Sequence, residues 1–72
     1  MIIDEILDNV YKGVVNVNNL DLAYIRQEAE MFEFDYLRDA VVGDDKYAII
    51  NALKKYLEEN GYIDILDKIM FI

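Results

Sequence analysis

The sequence predicts a mainly all-α fold of four or five short helices packed around one core, with a brief extended segment near residues 14–17. Two observations lead to this prediction. Apolar residues recur at helical spacing in several stretches, which are separated by glycine, asparagine or aspartate. The chain has only 72 residues and no cysteine, so we expect residues 1–72 to form a single domain, stabilised by a dense apolar core or by association.

The first helix is predicted over Ile3–Lys12, because apolar residues fall on one face and acids on the other. Gly13 stands where the left-handed residue that ends a helix belongs. Val14, Val15 and Val17 are β-branched, which favours a short extended segment.

The second helix is predicted over Leu20–Phe32, after a turn at the two preceding asparagines. A shorter third helix is expected over Phe34–Val42. The two helices would meet at a tight corner around the small residue Ala29. The side chains of the second helix expected to point inward are Leu22, Ile25, Ala29 and Phe32.

The clearest break in the chain is the segment 43–45, a glycine followed by two aspartates that both suit a helix N-cap. A fourth helix is predicted over Lys46–Glu59, closed by Asn60 and Gly61. The tail Tyr62–Ile72 fits a helix by its apolar spacing and a strand by its local alternation, and we favour the helix. We expect its apolar end, residues 69–72, to belong to the core.

The order of these elements resembles part of a known family. The segment Ile6–Val17 (ILDNVYKGVVNV) is similar to the helix and strand of BTB/POZ domains, where an apolar helix ends in aromatic-x-Gly. The segment Glu28–Phe34 (EAEMFEF) resembles the potassium-channel tetramerisation branch. The resemblance covers about residues 3–42, the C-terminal half of such a domain. If the protein begins at Met1, as we expect, residues 44–72 must supply the rest of the core. The resemblance implies a protein-interaction or oligomerisation module.

The residue types present argue against catalysis. The chain has no histidine, cysteine, serine or threonine, so the common general base and the common nucleophiles are missing. Pairs of carboxylates do share helical faces, but without histidine or cysteine we interpret them as a solvated acidic face. We therefore expect no enzyme activity, no cofactor and no metal site.

Charge and hydropathy define the class of partner. The net charge is −8 with a pI near 4.2, which argues against direct nucleic-acid binding because phosphates require Lys and Arg. No apolar run approaches the roughly 20 residues of a membrane span, and the N-terminus lacks the basic start of a signal peptide. We therefore expect a cytoplasmic protein that binds a protein partner or a second copy of itself.

Six of the acids, set against two arginines, give residues 21–39 a net charge of −4, half the total. We predict that this segment contributes the protein interface, with tyrosines as aromatic anchors. Tyr11 and Tyr56 fall on apolar faces instead and are expected in the core. The alternative function is a small acidic inhibitor, of phage or mobile-element type, that occupies a basic nucleic-acid-binding groove of its target. The predicted interface residues are Tyr24, Glu28, Glu30, Glu33, Asp35, Tyr36 and Asp39.

Overall fold

Five helices and three two-residue strands follow one another along the chain, and the computed structural model describes all of residues 1–72. The mainly all-α prediction is confirmed. The elements, in chain order, are α1 (Ile2–Asp8), β1 (Val10–Tyr11), β2 (Val14–Val15), a 3-10 turn (Val17–Asn19), α2 (Leu22–Met31), α3 (Asp35–Gly43), α4 (Lys46–Glu59), α5 (Ile63–Lys68) and β3 (Met70–Phe71).

The strands form a small sheet of order β1–β2–β3. β1 and β2 make an antiparallel hairpin whose two turn residues, Lys12 and Gly13, have φ of +52° and +80°. Positive φ at both central residues is the geometry that matches the twist of a tight hairpin. The prediction that the first helix runs to Lys12 and ends at Gly13 is therefore wrong. Helix α1 stops at Asp8 and is capped by Asn9, because the two residues after Asn9, Val10 and Tyr11, pair with β2 as a strand.

The tail contains both structures that its sequence allows. Residues 63–68 form α5, and residues 70–71 form β3, which pairs in parallel with β2. The Met70 N–H donates to the Gly13 carbonyl at 2.7 Å, and the Ile72 N–H donates to the Val15 carbonyl at 2.9 Å. The apolar end of the chain was expected in the core. Phe71 is buried there, whereas its neighbour Met70 is exposed, because successive residues of a strand point to opposite faces.

Two helices end in the same backbone motif. At the end of α4 the Tyr62 N–H donates to the Leu57 carbonyl at 2.8 Å, and the left-handed residue between them is Gly61, with φ +84°. At the end of α2 the Phe34 N–H donates to the Ala29 carbonyl at 2.8 Å, and the left-handed residue is Glu33, with φ +62°. This is the Schellman arrangement, and it turns α2 sharply into α3.

Aspartates begin the two longest helices. The Asp21 carboxylate accepts from the Tyr24 N–H at 3.0 Å, and that of Asp45 accepts from the Tyr47 N–H at 2.9 Å. The predicted bounds of α4 are confirmed. Asp44, expected as a second N-cap, instead ends α3 in a left-handed conformation with φ +53°.

One core joins the helices and the inner face of the sheet. Tyr56 lies in it as expected, but Tyr11 and Phe32 do not. Tyr11 belongs to a strand, so its neighbour Val10 packs against the core and Tyr11 points outward. Phe32 follows the last residue of α2 and is 58% exposed. The fully buried side chains of largest volume are Ile2, Ile6, Ile25, Leu37, Ile49, Leu53, Leu57 and Val15. None of the helices has the length and apolar character needed to cross a membrane.

Candidate interaction groove

Two adjoining depressions lie where the start of α1 meets the end of α2. Their volumes are about 290 Å³ and about 200 Å³. Both are lined by Met1, Glu28 and Phe32, and we refer to them together as the Phe32 groove. The first is completed by Tyr24, Gln27 and Met31, and the second by Phe34, Tyr56 and Asn60.

The rim of the Phe32 groove is apolar and exposed. Met1, Met31 and Phe32 are 63%, 67% and 58% exposed, respectively. Phe32 and Met31 remain outside because the Schellman turn at Glu33 ends the helix and sends the next aromatic, Phe34, onto the core. Clustered exposed apolar side chains with polar neighbours are typical of a binding surface.

The floor of the groove contains a carboxylate. The Glu28 side chain is only 10% exposed, and its Oε1 accepts from the Ile2 N–H at 3.1 Å. Its Oε2 lies 3.8 Å from the Met1 α-ammonium. Glu28 was predicted on the exposed acidic face. It lies inward because it falls between Ile25 and Ala29 on the buried stripe of α2, where the first turn of α1 supplies an N–H donor.

Helix α1 is fixed to α2 at a second point. The Glu5 Oε1 accepts from the Asp21 N–H at 2.7 Å and from the Asn9 side-chain amide at 3.2 Å. Together with the Glu28 contact, this hydrogen bond links α1 to both the start and the end of α2. The groove is therefore held by hydrogen bonds from backbone N–H groups to carboxylates.

Carboxylates surround Tyr24 at the edge of the groove. Hydrogen bonding to Glu28, desolvation, and then the charges of Glu28, Asp4 and Glu5 raise the pKa of Tyr24 to about 12. Neither depression has a Lys or Arg among its lining residues. The Met1 α-ammonium is the positive group at the site, and it lies 3.3 Å from the exposed Asp4 carboxylate.

The remaining predicted acids form a separate acidic corner, defined as Glu30, Glu33, Asp35 and Asp39, all exposed. Three of them pair with arginines. Arg26 Nε lies 3.4 Å from Glu30, and Arg38 lies 3.4 Å from Asp35 and 3.0 Å from Asp39. The two arginines already counted in the net charge of −4 therefore lie beside three of the four acids of this corner.

Tyr36 faces α4 and not the Phe32 groove. Its ring lies 6.2 Å from that of Phe34, and the Lys55 ammonium sits 4.3 Å from the Tyr36 ring centroid. The Tyr36 hydroxyl is buried without a hydrogen-bond partner, and burial followed by the neighbouring Glu59 carboxylate raises its pKa. The structure thus brings Tyr24 and Glu28 together and separates them from the other predicted interface residues.

The sequence prediction missed Met1, Met31 and Gln27 as groove residues and placed Phe32 inside. A signal was present in residues 31–34, Met-Phe-Glu-Phe, which put three large apolar side chains within four positions. One face of a helix cannot bury all three, so at least one had to be exposed.

A third depression, of about 420 Å³, lies between α2 and α3 and is lined mainly by polar or small residues, including Arg26, Glu30 and Asp44. No group of three or more His, Cys, Asp or Glu side chains is placed to hold a metal ion. A comparison with protein-family models, with curated proteins and with solved structures finds no match to this chain.

Proposed function

We propose that this chain is a non-enzymatic protein-interaction module of the cytoplasm that receives a segment of a partner protein in the Phe32 groove. The observation that carries the proposal is the exposure of Met1, Met31 and Phe32 around one depression. Burying a large apolar side chain fully is worth about 1.5–3 kcal/mol, so these three side chains offer a partner several kcal/mol of contact energy.

The resemblance of residues 3–42 to part of a BTB/POZ domain belongs to this proposal as an expectation from the sequence, and the module that it implies binds proteins or oligomerises. An oligomerising module is the corresponding alternative, in which the occupant of the groove is a second copy of the chain.

The test is selection of binders from a random peptide library displayed on phage, together with light scattering on the free protein. We expect groove-dependent peptides whose affinity falls about 30-fold or more in Phe32→Ser, the effect of losing an aromatic anchor worth about 2 kcal/mol. The matched control is Met70→Ser, because Met70 is 62% exposed on the outer face of the sheet, away from the groove.

Three results discriminate the alternatives. Peptides that bind the wild type and Phe32→Ser equally would refute the groove as the binding surface. A library that yields no binder, from a protein that is monomeric by light scattering, would refute the interaction module itself. A dimer or larger assembly that Phe32→Ser dissociates would identify the occupant as a second copy.

A second candidate function is the acidic inhibitor, supported by the exposure of all four acids of the acidic corner. Its test is whether the chain displaces nucleic acid from a nucleic-acid-binding protein that co-purifies with it. Charge reversal of Glu30 and Glu33 to lysine should abolish displacement, and raised salt should weaken it because exposed charges are screened. Displacement that survives the reversal would refute this function.

A further inference from the structure

We propose that the segment bound in the Phe32 groove is a basic amphipathic peptide, in which two neighbouring large apolar side chains are flanked by Lys or Arg. This inference rests on the proposed function and specifies the chemistry of the partner. It follows from the shape of the groove, from the charges around it and from the side chains of its rim.

The shape requires two apolar side chains. The two depressions share Met1, Glu28 and Phe32, so they are adjacent and their occupants must be neighbours on one segment. Since a water molecule takes about 30 Å³ of liquid, each depression has room for several waters. Large apolar side chains would displace them, and the lining is mostly apolar.

The charges require a cationic flank. The carboxylates of Asp4, Glu5 and Glu28 all act on Tyr24, at the edge of the first depression. The positive group near these carboxylates is the Met1 α-ammonium, which lies within 4 Å of Asp4 and of Glu28. Glu28 lines both depressions, so a Lys or Arg of the partner segment that neighbours either of its two apolar side chains comes near the Glu28 carboxylate. Attraction of this kind speeds association and rejects acidic segments.

The rim suits a range of such sequences. Met1 and Met31 are unbranched and polarisable, so they adapt to different apolar shapes. Another exposed apolar face, formed by Tyr11 and Met70 on the sheet, differs from the groove because the Lys12 ammonium lies 5.4 Å from the Tyr11 ring centroid. A basic peptide is therefore expected at the groove and not at the sheet.

The experiment measures binding of three labelled helical peptides by fluorescence polarisation: one built from leucine and lysine, one with every lysine replaced by glutamate, and one with the lysine peptide's residues scrambled. We expect the lysine peptide to bind at least about ten-fold more tightly than the glutamate and scrambled peptides, with an affinity that falls as salt rises.

Two variants and one control locate the binding. Phe32→Ser should abolish most of the binding, and Asp4→Asn should weaken it roughly two- to five-fold, the range for one exposed charge pair. The control is Asp64→Asn, because Asp64 is also an exposed acid in the first turn of a short helix, but α5 lies outside the groove. All three positions are exposed, so each variant is expected to fold, which circular dichroism checks.

The outcomes separate this inference from the proposed function. If the phage library gives groove-dependent peptides that are neutral or acidic, the basic partner is refuted and the interaction module stands. If the lysine peptide binds equally to wild type and Phe32→Ser, the attraction is a general effect of the charge of −8, and the inference is overturned.

Discussion

Replacing Glu28 by alanine should destabilise the fold far more than any exposed acid would. Its carboxylate is the acceptor for the buried Ile2 N–H, one of the four donors that a helix leaves unpaired in its first turn. Glu28→Ala removes the acceptor, and the 3.1 Å contact has no replacement in the protein. The variant also loses the 3.8 Å ion pair with the Met1 α-ammonium.

The expected loss follows from the contact. A hydrogen bond to a charged acceptor contributes about 1.5–3 kcal/mol, and a buried donor left unpaired costs a similar amount. A domain of this length has a free energy of unfolding of roughly 4–11 kcal/mol. The substitution should therefore remove between about one-seventh and about three-quarters of the stability. At roughly 4–8 °C per kcal/mol, Tm should fall by about 6–24 °C.

Urea unfolding followed by circular dichroism measures this loss, with an unchanged m-value as the sign that only stability has changed. Glu28→Gln should lose less than Glu28→Ala, because the amide oxygen still accepts from Ile2. Glu30→Ala is the matched control on the same helix, since its exposed pair with Arg26 is worth only about 0.3–0.5 kcal/mol. If the two alanine variants agree within about 0.5 kcal/mol, Glu28 does not hold α1 to α2.

Three further predictions concern the tail, the helix ends and alkaline pH. Phe71→Ala should lower the free energy of unfolding in urea by about 3–5 kcal/mol, whereas Met70→Ala should lower it by less than about 0.5. Equal losses would refute the burial of Phe71 next to the exposed Met70. Glu33→Gly should raise the free energy of unfolding by up to about 1 kcal/mol and Gly61→Ala should lower it by about 1 kcal/mol, because both positions have positive φ. If both variants were more stable, or both less stable, than the wild type, this reasoning would be contradicted. The unfolded chain releases the Tyr24 proton near pH 10 and the folded chain only near pH 12, so the free energy of unfolding should fall as the pH rises from 10 to 12. Tyr24→Phe should make this decrease with pH less steep. A decrease that is equally steep in the variant would contradict the interaction of Tyr24 with Glu28.

Helix bounds could be predicted from the sequence where the capping residues and the apolar spacing indicated the same element. In α4 the N-cap Asp45, the apolar spacing and the glycine after Asn60 all specify one element, and its bounds were predicted to the residue. The sheet did not follow, because each strand has two residues and the partner of Val14 is Met70, at the far end of the chain. No local pattern specifies such a pairing, so the tail remained ambiguous between helix and strand.

The groove was only partly predictable for a related reason. Acids on α2 were all assigned to solvent, which holds for Glu30 but not for Glu28. Burying a charged side chain is normally unfavourable. Glu28 is buried here because the backbone N–H of Ile2, distant in sequence, donates a hydrogen bond to its carboxylate. That donor belongs to α1, whose packing against α2 is tertiary information.

The burial of Glu28 and the exposure of Phe32 are two consequences of one corner. By spacing alone, Phe32 lies on the buried stripe with Ile25 and Ala29. The Schellman turn instead brings Phe34 back over Ala29, where its ring meets that of Tyr56 edge to face at 5.4 Å and 85°. Phe34, and not Phe32, packs against the core there, and Phe32 is left at the surface.

The start of α1 then lies beside the end of α2, and its free N–H groups need an acceptor there. Glu28 is one helical turn before Phe32 and supplies that acceptor. The same geometry therefore places a carboxylate and an exposed aromatic ring in the same depressions, and the proposed basic amphipathic partner rests on this combination. Removing the corner, and not only the charge, would remove the groove.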